Sequence, residues 1–333
     1  MEKGEFHLND EKCRVQIMEE LLTNNHSWEI EDSDFIRVKD AYKTCLSLLW
    51  VEEKFNIVSD NFYEWEQEIK NSYDFLVESQ SDSPDCDIIM KEHGTKEIII
   101  LNRRLSNILN SIRMYRDQVL HDLSALENEL KIKFESETNR QYDKSFSYQL
   151  MELVRNYMQH QGLIIERITA IIPFSRVVKG ELWYFVESNY QSLKKIDKFK
   201  QKIKLMGHIT DQAEWINLVG VLREYYSQII ELHNYFRTIT NEMCNNAITD
   251  INKIVINIYK FLPVKVIAFY GEKNSEVFQD FLLQMTYLER LKTYRQIDIE
   301  LDVTKYYVGK KIYIESDKIK VSNSIRCNIR FNT

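Results

Sequence analysis

Glycine and proline are scarce in this chain, and their scarcity limits what it can fold into. The 333 residues include 8 glycines and 3 prolines, where average usage would give roughly 23 and 17. Doubly wound sheets, phosphate-binding loops and β-sandwiches need glycine at tight turns and close backbone approaches. No glycine-rich nucleotide-binding motif occurs in the sequence. We therefore expect a mainly α fold and no cofactor.

The net charge and the cysteines limit which cellular compartment and which binding partners we expect. The formal net charge is −7, so the surface as a whole does not attract nucleic acid, and any RNA site has to be a local cleft. The five cysteines are scattered without a C-x-x-C pair, which favours reduced thiols and no metal site. No run of 18 apolar residues occurs. We expect a cytoplasmic protein that does not associate with a membrane.

Apolar residues recur at steps of three and four along most of the chain, which is the helical period. They predict helices over residues 34–77, about 95–135, 145–162 and about 212–262. A hinge is expected at 136–140, and Gly162 is a natural residue to end the third helix. Residues 164–172 and 181–186 are rich in β-formers and predict a hairpin that turns at Lys179-Gly180. Helices of this length need partners along their sides, so an antiparallel bundle is expected.

Three regions follow from these patterns. We expect N-terminal helices over 1–78 that pack on the bundle, a helical core over 95–262 with the hairpin near 164–186, and a small α/β region over 263–333. Within the last region, the pattern predicts strands at 264–270, 297–303, 311–315 and 327–331 and a helix at 275–294.

Three polar residues converge at the end of the third predicted helix. Asn156 and His160 are four residues apart and project from nearly the same face, and Arg155 lies about 100° round the helix. A guanidinium beside an imidazole suits phosphodiester cleavage without a metal. His160 would exchange a proton, Arg155 would hold the non-bridging oxygens, and Asn156 would orient either group. RNA is the implied substrate, because it carries the 2′-hydroxyl nucleophile.

The string Arg155-Asn156-x-x-x-His160 resembles the R-x4-6-H motif, in its R-N-x-x-x-H form, of the HEPN superfamily. The neighbouring segments Tyr142–Tyr148, Leu153–Leu163 and Asn102–Arg113 also resemble bacterial HEPN-like proteins. The resemblance covers residues 95–173. It implies a HEPN-like helical bundle, metal-independent endoribonuclease activity and a homodimer in which two motifs face each other. It further implies a toxin or anti-phage defence effector, with an antitoxin or defence-system partner.

Plainer interpretations of the same residues stay open. A degenerate HEPN-like bundle would only bind or dimerise, as a non-catalytic interaction protein. Alternatively, Arg155 would form a surface ion pair with Glu152, and His160 would only cap carbonyl groups at the helix end.

A second R-x4-H match, Arg116 to His121, lies within the preceding helix. Either it belongs to a solvated helix face, or Arg113, Arg116 and His121 line the same RNA groove as the main motif. Tyr157 is a further candidate for contact with substrate. The lysine run from Lys194 to Lys204 fits either phosphate contacts or a solvated amphipathic helix.

Overall fold

Helices dominate the part of the chain that the computed structural model describes, namely residues 14–17, 27–78, 86–171, 181–194, 215–258, 266–271, 279–299, 312–315 and 318–321. The helices are α1 (Asp32–Glu78), α2 (Cys86–Leu126), α3 (Asn128–Lys144), α4 (Phe146–His160), α5 (Tyr190–Lys194), α6 (Leu218–Ile239), α7 (Asn241–Ile258) and α8 (Met285–Gln296). The mainly α prediction is confirmed. The turn at Lys179-Gly180 and the lysines from Lys195 to Lys204 lie outside the described residues.

The chain divides into two compact units. The first comprises residues 1–53, 122–130 and 236–298, and the second comprises 54–121, 131–235 and 299–333. In the first unit, four antiparallel strands form a sheet in the order β2-β1-β6-β7. Their bounds are Arg14–Ile17 (β1), Ser27–Glu29 (β2), Val266–Tyr270 (β6) and Phe281–Gln284 (β7). The rings of Phe269 and Phe281 stack at 4.6 Å, and the ring of Phe35 meets Phe281 edge-on at 5.4 Å.

Two expectations for this unit need correction. The segment Phe281–Gln284 is a strand, although its apolar spacing predicted part of a helix. Its backbone pairs with β6, where Ala268 lies opposite Leu282. The strands β1 and β2 were not predicted at all, because β1 gains its partner β6 from about 250 residues further along the chain.

The second unit contains a small sheet beside its helices. The strands β3 (Arg167–Ile171), β4 (Glu181–Asn189), β8 (Ile312–Glu315) and β9 (Lys318–Val321) follow one another in this order, and β5 (Trp215–Asn217) also pairs with β4. The antiparallel pairing of β3 with β4, with Thr169 opposite Phe185, confirms the predicted hairpin strands. The strand prediction at 311–315 is confirmed by β8, and residues 327–331 lie outside the described residues.

The predicted hinge at 136–140 is wrong, because this segment lies inside α3. Glu137 accepts hydrogen bonds from Arg140 at 2.7 Å and Gln141 at 3.1 Å, and such pairs three and four residues apart stabilise a helix. The chain instead leaves helical geometry at Glu127 and Ser145. Ser145 caps α4, since its hydroxyl accepts a hydrogen bond from the backbone N–H of Tyr148 at 3.1 Å.

A buried asparagine holds the segment that follows α4, and Gly162 does not act as a left-handed cap. Gly162 does not adopt the left-handed conformation, and a Cβ at this position would meet no atom within 4 Å. The side chain of Asn102, which is fully buried on α2, accepts hydrogen bonds from the backbone N–H groups of Ile164 and Ile165 at 3.0 Å each. It also donates to the carbonyl of Ile165 at 2.9 Å. Asn102 therefore holds the extended segment that leaves α4.

A buried acid, Glu97, is expected to make the stability of the second unit depend on pH. Burial raises the pKa of Glu97 from 4.5 to about 7, while hydrogen bonding to Ser72 lowers it by less. Between pH 4.5 and 7 the folded protein keeps a proton that the unfolded chain has released. The free energy of unfolding therefore falls as pH rises through this window, by on the order of 3 kcal/mol.

Urea unfolding at several pH values between 4.5 and 8 checks this expectation. The variant Glu97→Gln should show a shallower decline than the wild type, because glutamine does not titrate. A decline should remain, because burial also raises the pKa of Glu66 in the same unit to about 7. The exposed Glu92 on the same helix supplies the matched control, and Glu92→Gln should behave as the wild type does. A Glu97→Gln variant that keeps the full wild-type slope would contradict the assignment.

Among the described residues, none of the helices combines the length and apolar character that crossing a membrane requires.

Candidate functional site

Helix α4 buries one side and presents a polar stripe on the other. Leu150, Met151, Leu153 and Val154 are buried. The polar stripe recurs at the helical period and consists of Glu152, Arg155, Asn156, Gln159 and His160. The capping Ser145 at one end and the tethered segment after Gly162 at the other hold this stripe in place.

The guanidinium of Arg155 is held by its neighbours on the same helix. Its Nη2 donates to Asn156 Oδ1 at 2.7 Å, and its Nη1 donates to Gln159 Oε1 at 3.4 Å. An arginine side chain carries five N–H donors, so three remain after these two bonds. The one on Nε is buried and lies 3.9 Å from Glu152 Oε2, which leaves one N–H on Nη1 and one on Nη2 without an acceptor among the described residues. Arg155 is thus fixed in position with two N–H groups that make no hydrogen bond.

Five residues beyond Arg155 on α4, the side chain of His160 is exposed. Across the described ranges it forms no side-chain hydrogen bond or ion pair. At the end of the helix, the backbone N–H groups of Gln161 and Gly162 donate to the carbonyl of Tyr157 at 2.8 and 3.4 Å. The predicted capping of carbonyls by His160 is therefore not what the structure shows, and the imidazole is accessible to a ligand.

Glu152 has closer partners than Arg155. Arg116 Nη1 on α2 donates to Glu152 Oε1 at 2.6 Å, and the hydroxyl of Tyr225 on α6 donates to the same oxygen at 2.8 Å. Arg155 Nε lies 3.9 Å from the other oxygen, Oε2, which is too long for a hydrogen bond. The ion pair that was expected between Arg155 and Glu152 is present at 3.9 Å, but both side chains are largely buried and the carboxylate is shared with Arg116.

The hydrogen bonds between α2 and α4 define an antiparallel pair. Gln159 donates to Asn110 at 2.9 Å, and Arg116 bonds Glu152. A bonded residue further along α2 has a partner that is earlier on α4, so the two residue numbers of each pair add up to nearly the same value, 269 or 268. The antiparallel arrangement of these two helices is confirmed, and the same sum places Arg113 at the level of Arg155.

The remaining predicted residues differ in their surroundings. Arg113 is exposed and donates to Asp117 on its own helix at 2.9 Å. His121 is exposed on α2, five residues beyond Arg116. Tyr157 is half-buried on α4. The structure thus brings Arg116 into the network of Arg155 and leaves Arg113 and His121 on the surface of α2.

Sequence reasoning missed the role of Tyr225 and assigned Glu152 only to an ordinary ion pair. The side chains of Arg116 and Glu152 are each 16% exposed, and that of Arg155 is 15% exposed. Burial lowers the pKa of Arg116, but Tyr148, Glu152 and Tyr225 outweigh it, so its pKa lies above the ordinary value. Burial also raises the pKa of Tyr225, so its hydroxyl stays protonated and donates to Glu152.

The charges of this network do not cancel. Two arginines and one glutamate leave a formal charge of +1 in a partly buried place. Such a place favours the binding of an anion, because the low local dielectric strengthens attraction to charge. In the described part of the chain, no group of three or more His, Cys, Asp or Glu side chains is arranged to hold a metal ion.

Comparisons with known proteins return no relative: no family model, no curated protein and no solved structure matches this chain.

Proposed function

We propose that the protein is a metal-independent endoribonuclease of the HEPN type. The observation that carries this proposal is that α4 carries both groups on its polar stripe, five residues apart and about 140° round the helix, at the two edges of the stripe. Arg155 keeps one N–H on Nη1 and one on Nη2 without an acceptor among the described residues, and His160 exposes its imidazole. The first group suits a phosphate and the second suits proton transfer.

The chemistry would run through the 2′-hydroxyl of RNA. An imidazole takes the proton of this hydroxyl, O2′ attacks the adjacent phosphorus, and the P–O5′ bond breaks. The 5′-oxygen leaves with a proton from an imidazolium, and the phosphate becomes a 2′,3′-cyclic diester. Arg155 donates to the non-bridging oxygens as charge builds on them, and Asn156 holds Arg155 in place.

The two proton transfers call for a composite site. In the described part of one protomer, His160 is the imidazole on the polar stripe of α4, and one imidazole serves as base or as acid in a single step. A second copy of the chain would supply the other imidazole, in keeping with the homodimer that the resemblance implies. Arg116 supports the site through Glu152. Arg113, His121 and Tyr157 would contact RNA beyond the cleaved phosphate.

A non-catalytic interaction protein is the alternative from a different class. The single imidazole on the stripe favours it, because one protomer alone would bind an RNA phosphate without completing both proton transfers. A cytoplasmic toxin or anti-phage effector with a neutralising partner protein is the biological setting that we propose, on the strength of the resemblance.

Incubation of the purified protein with end-labelled RNA in EDTA tests the proposal. We expect fragments in EDTA as in buffer without it. A substrate with one 2′-deoxy nucleotide should stay intact at that linkage alone, because the nucleophile is missing there. Binding of RNA without fragments would favour the interaction protein, and cleavage that requires added Mg²⁺ would contradict the proposed chemistry.

A further inference from the structure

Glu152 is held from two other helices in a way that a simple ion pair does not need. Its Oε1 accepts from Arg116 on α2 and from Tyr225 on α6. The guanidinium of Arg116 also lies over the ring of Tyr148, 5.5 Å from its centroid. The carboxylate is therefore fixed by two donors on one oxygen, while the other oxygen faces Arg155 Nε at 3.9 Å.

This placement keeps Glu152 close to Arg155 without occupying its donors. At 3.9 Å the attraction is electrostatic, and the Nε of Arg155 has no hydrogen-bond partner among the described residues. Arg116 and Tyr225 both donate to Oε1, and the buried Nε is the atom of Arg155 that lies opposite Oε2. Glu152 therefore acts on Arg155 through its charge and makes no hydrogen bond to the Nη1 and Nη2 groups that would meet a phosphate.

We propose that Glu152 is a positioning residue, which orients Arg155 and limits how tightly it retains RNA, and that Arg116 and Tyr225 hold Glu152 in this role. The inference rests on the proposed function, since it takes Arg155 as the group that contacts the phosphate. Two opposite effects follow. Loss of the charge on Glu152 strengthens the attraction between Arg155 and a phosphate, whereas loss of its orientation slows the chemical step.

The variant Glu152→Gln separates these effects, because glutamine keeps the shape and can still accept from Tyr225. The full-length protein is assayed in two ways. Fluorescence anisotropy measures the Kd for an oligonucleotide that is 2′-deoxy at every position and cannot be cleaved, and single-turnover cleavage of the matching RNA measures the rate. We expect Kd to fall about 3- to 10-fold and the cleavage rate to fall about 10-fold or more.

Two further variants test whether the effects come from the position of Glu152 and not from a general change in the protein. Tyr225→Phe removes one donor and no charge, so the cleavage rate should fall while Kd stays at the wild-type value. Glu224→Gln is the matched control, because Glu224 also joins α6 to α4, by accepting from Ser147 Oγ at 2.7 Å, and has no contact with Arg155. It should leave both Kd and rate unchanged. The melting temperature of each variant confirms that it is folded.

The outcomes are distinct. The inference would be overturned if Glu152→Gln kept the wild-type Kd and cleavage rate. It would also be overturned if Glu152→Gln and Glu224→Gln lost affinity for the oligonucleotide and cleavage rate to the same degree. If the wild type cleaves no RNA, the proposed function fails, and the anisotropy measurements alone decide the inference. Tighter binding in Glu152→Gln together with weaker binding in Arg155→Ala would then support it, and an unchanged Kd in Glu152→Gln would overturn it.

Discussion

Replacement of His160 by alanine is expected to slow RNA cleavage by roughly 10²- to 10⁴-fold, the range that general acid–base catalysis contributes. The fold should not change, because the imidazole is exposed and has no side-chain partner among the described residues. Surface substitutions of this kind usually alter stability by within about 0.5 kcal/mol. Single-turnover cleavage and urea unfolding of the same preparation measure both quantities.

The neighbouring Gln161 supplies the control for this experiment. Its side chain is also exposed at the end of α4, and the hydrogen bond that it makes to Tyr157 comes from the backbone N–H, which alanine keeps. Gln161→Ala should cleave RNA at the wild-type rate. Equal losses in the two variants would indicate a disturbed helix end, and full activity in His160→Ala would remove this residue from the catalytic site.

Replacement of Arg223 by methionine is expected to lower the free energy of unfolding by about 3 to 5 kcal/mol. Arg223 on α6 donates through Nε to Glu66 Oε1 on α1 at 2.7 Å, and its Nη2 bonds Oε2 of the same carboxylate. Each of the two side chains is 1% exposed. Loss of the guanidinium would leave the carboxylate of Glu66 buried without its cation, and this is the cause of the large effect.

Denaturant unfolding of three variants measures the contribution of this pair. The double variant Glu66→Leu with Arg223→Met should recover most of the lost stability, because no unpaired charge then remains. Asp74→Ala breaks the half-exposed pair with Lys70 in the same unit and should cost less than about 1 kcal/mol. A loss in Arg223→Met as small as that in Asp74→Ala would contradict the buried-pair interpretation. Because Arg223 is two residues from Tyr225, the pair also holds the segment of α6 that reaches Glu152.

The sequence could predict which residues of α4 lie on its polar stripe, because a turn of 100° per residue fixes which side chains lie on the same side of a helix. The cap at Ser145 follows from local chemistry in the same way. The false hinge arose because 136–140 is polar but contains neither glycine nor proline, and its side chains pair along the helix. Polarity alone does not interrupt a helix.

The network around Glu152 could not be predicted, because its members come from distant parts of the chain. Arg116 and Tyr225 are 36 and 73 residues from Glu152, and no local spacing relates them. The tether from Asn102 to Ile164 and Ile165 spans 62 and 63 residues. Such contacts depend on how helices pack against each other, whereas sequence periodicity reports only which side of each helix is buried.

The chemical identity of the fragment ends tests the central claim most directly. RNA is incubated with the wild-type protein in EDTA, and the fragments are weighed by mass spectrometry. Transfer through the 2′-hydroxyl, as proposed for Arg155 and His160, predicts a 2′,3′-cyclic phosphate on one fragment and a free 5′-hydroxyl on the other. Fragments that end in a 3′-hydroxyl and a 5′-phosphate, or RNA that stays intact, would contradict it.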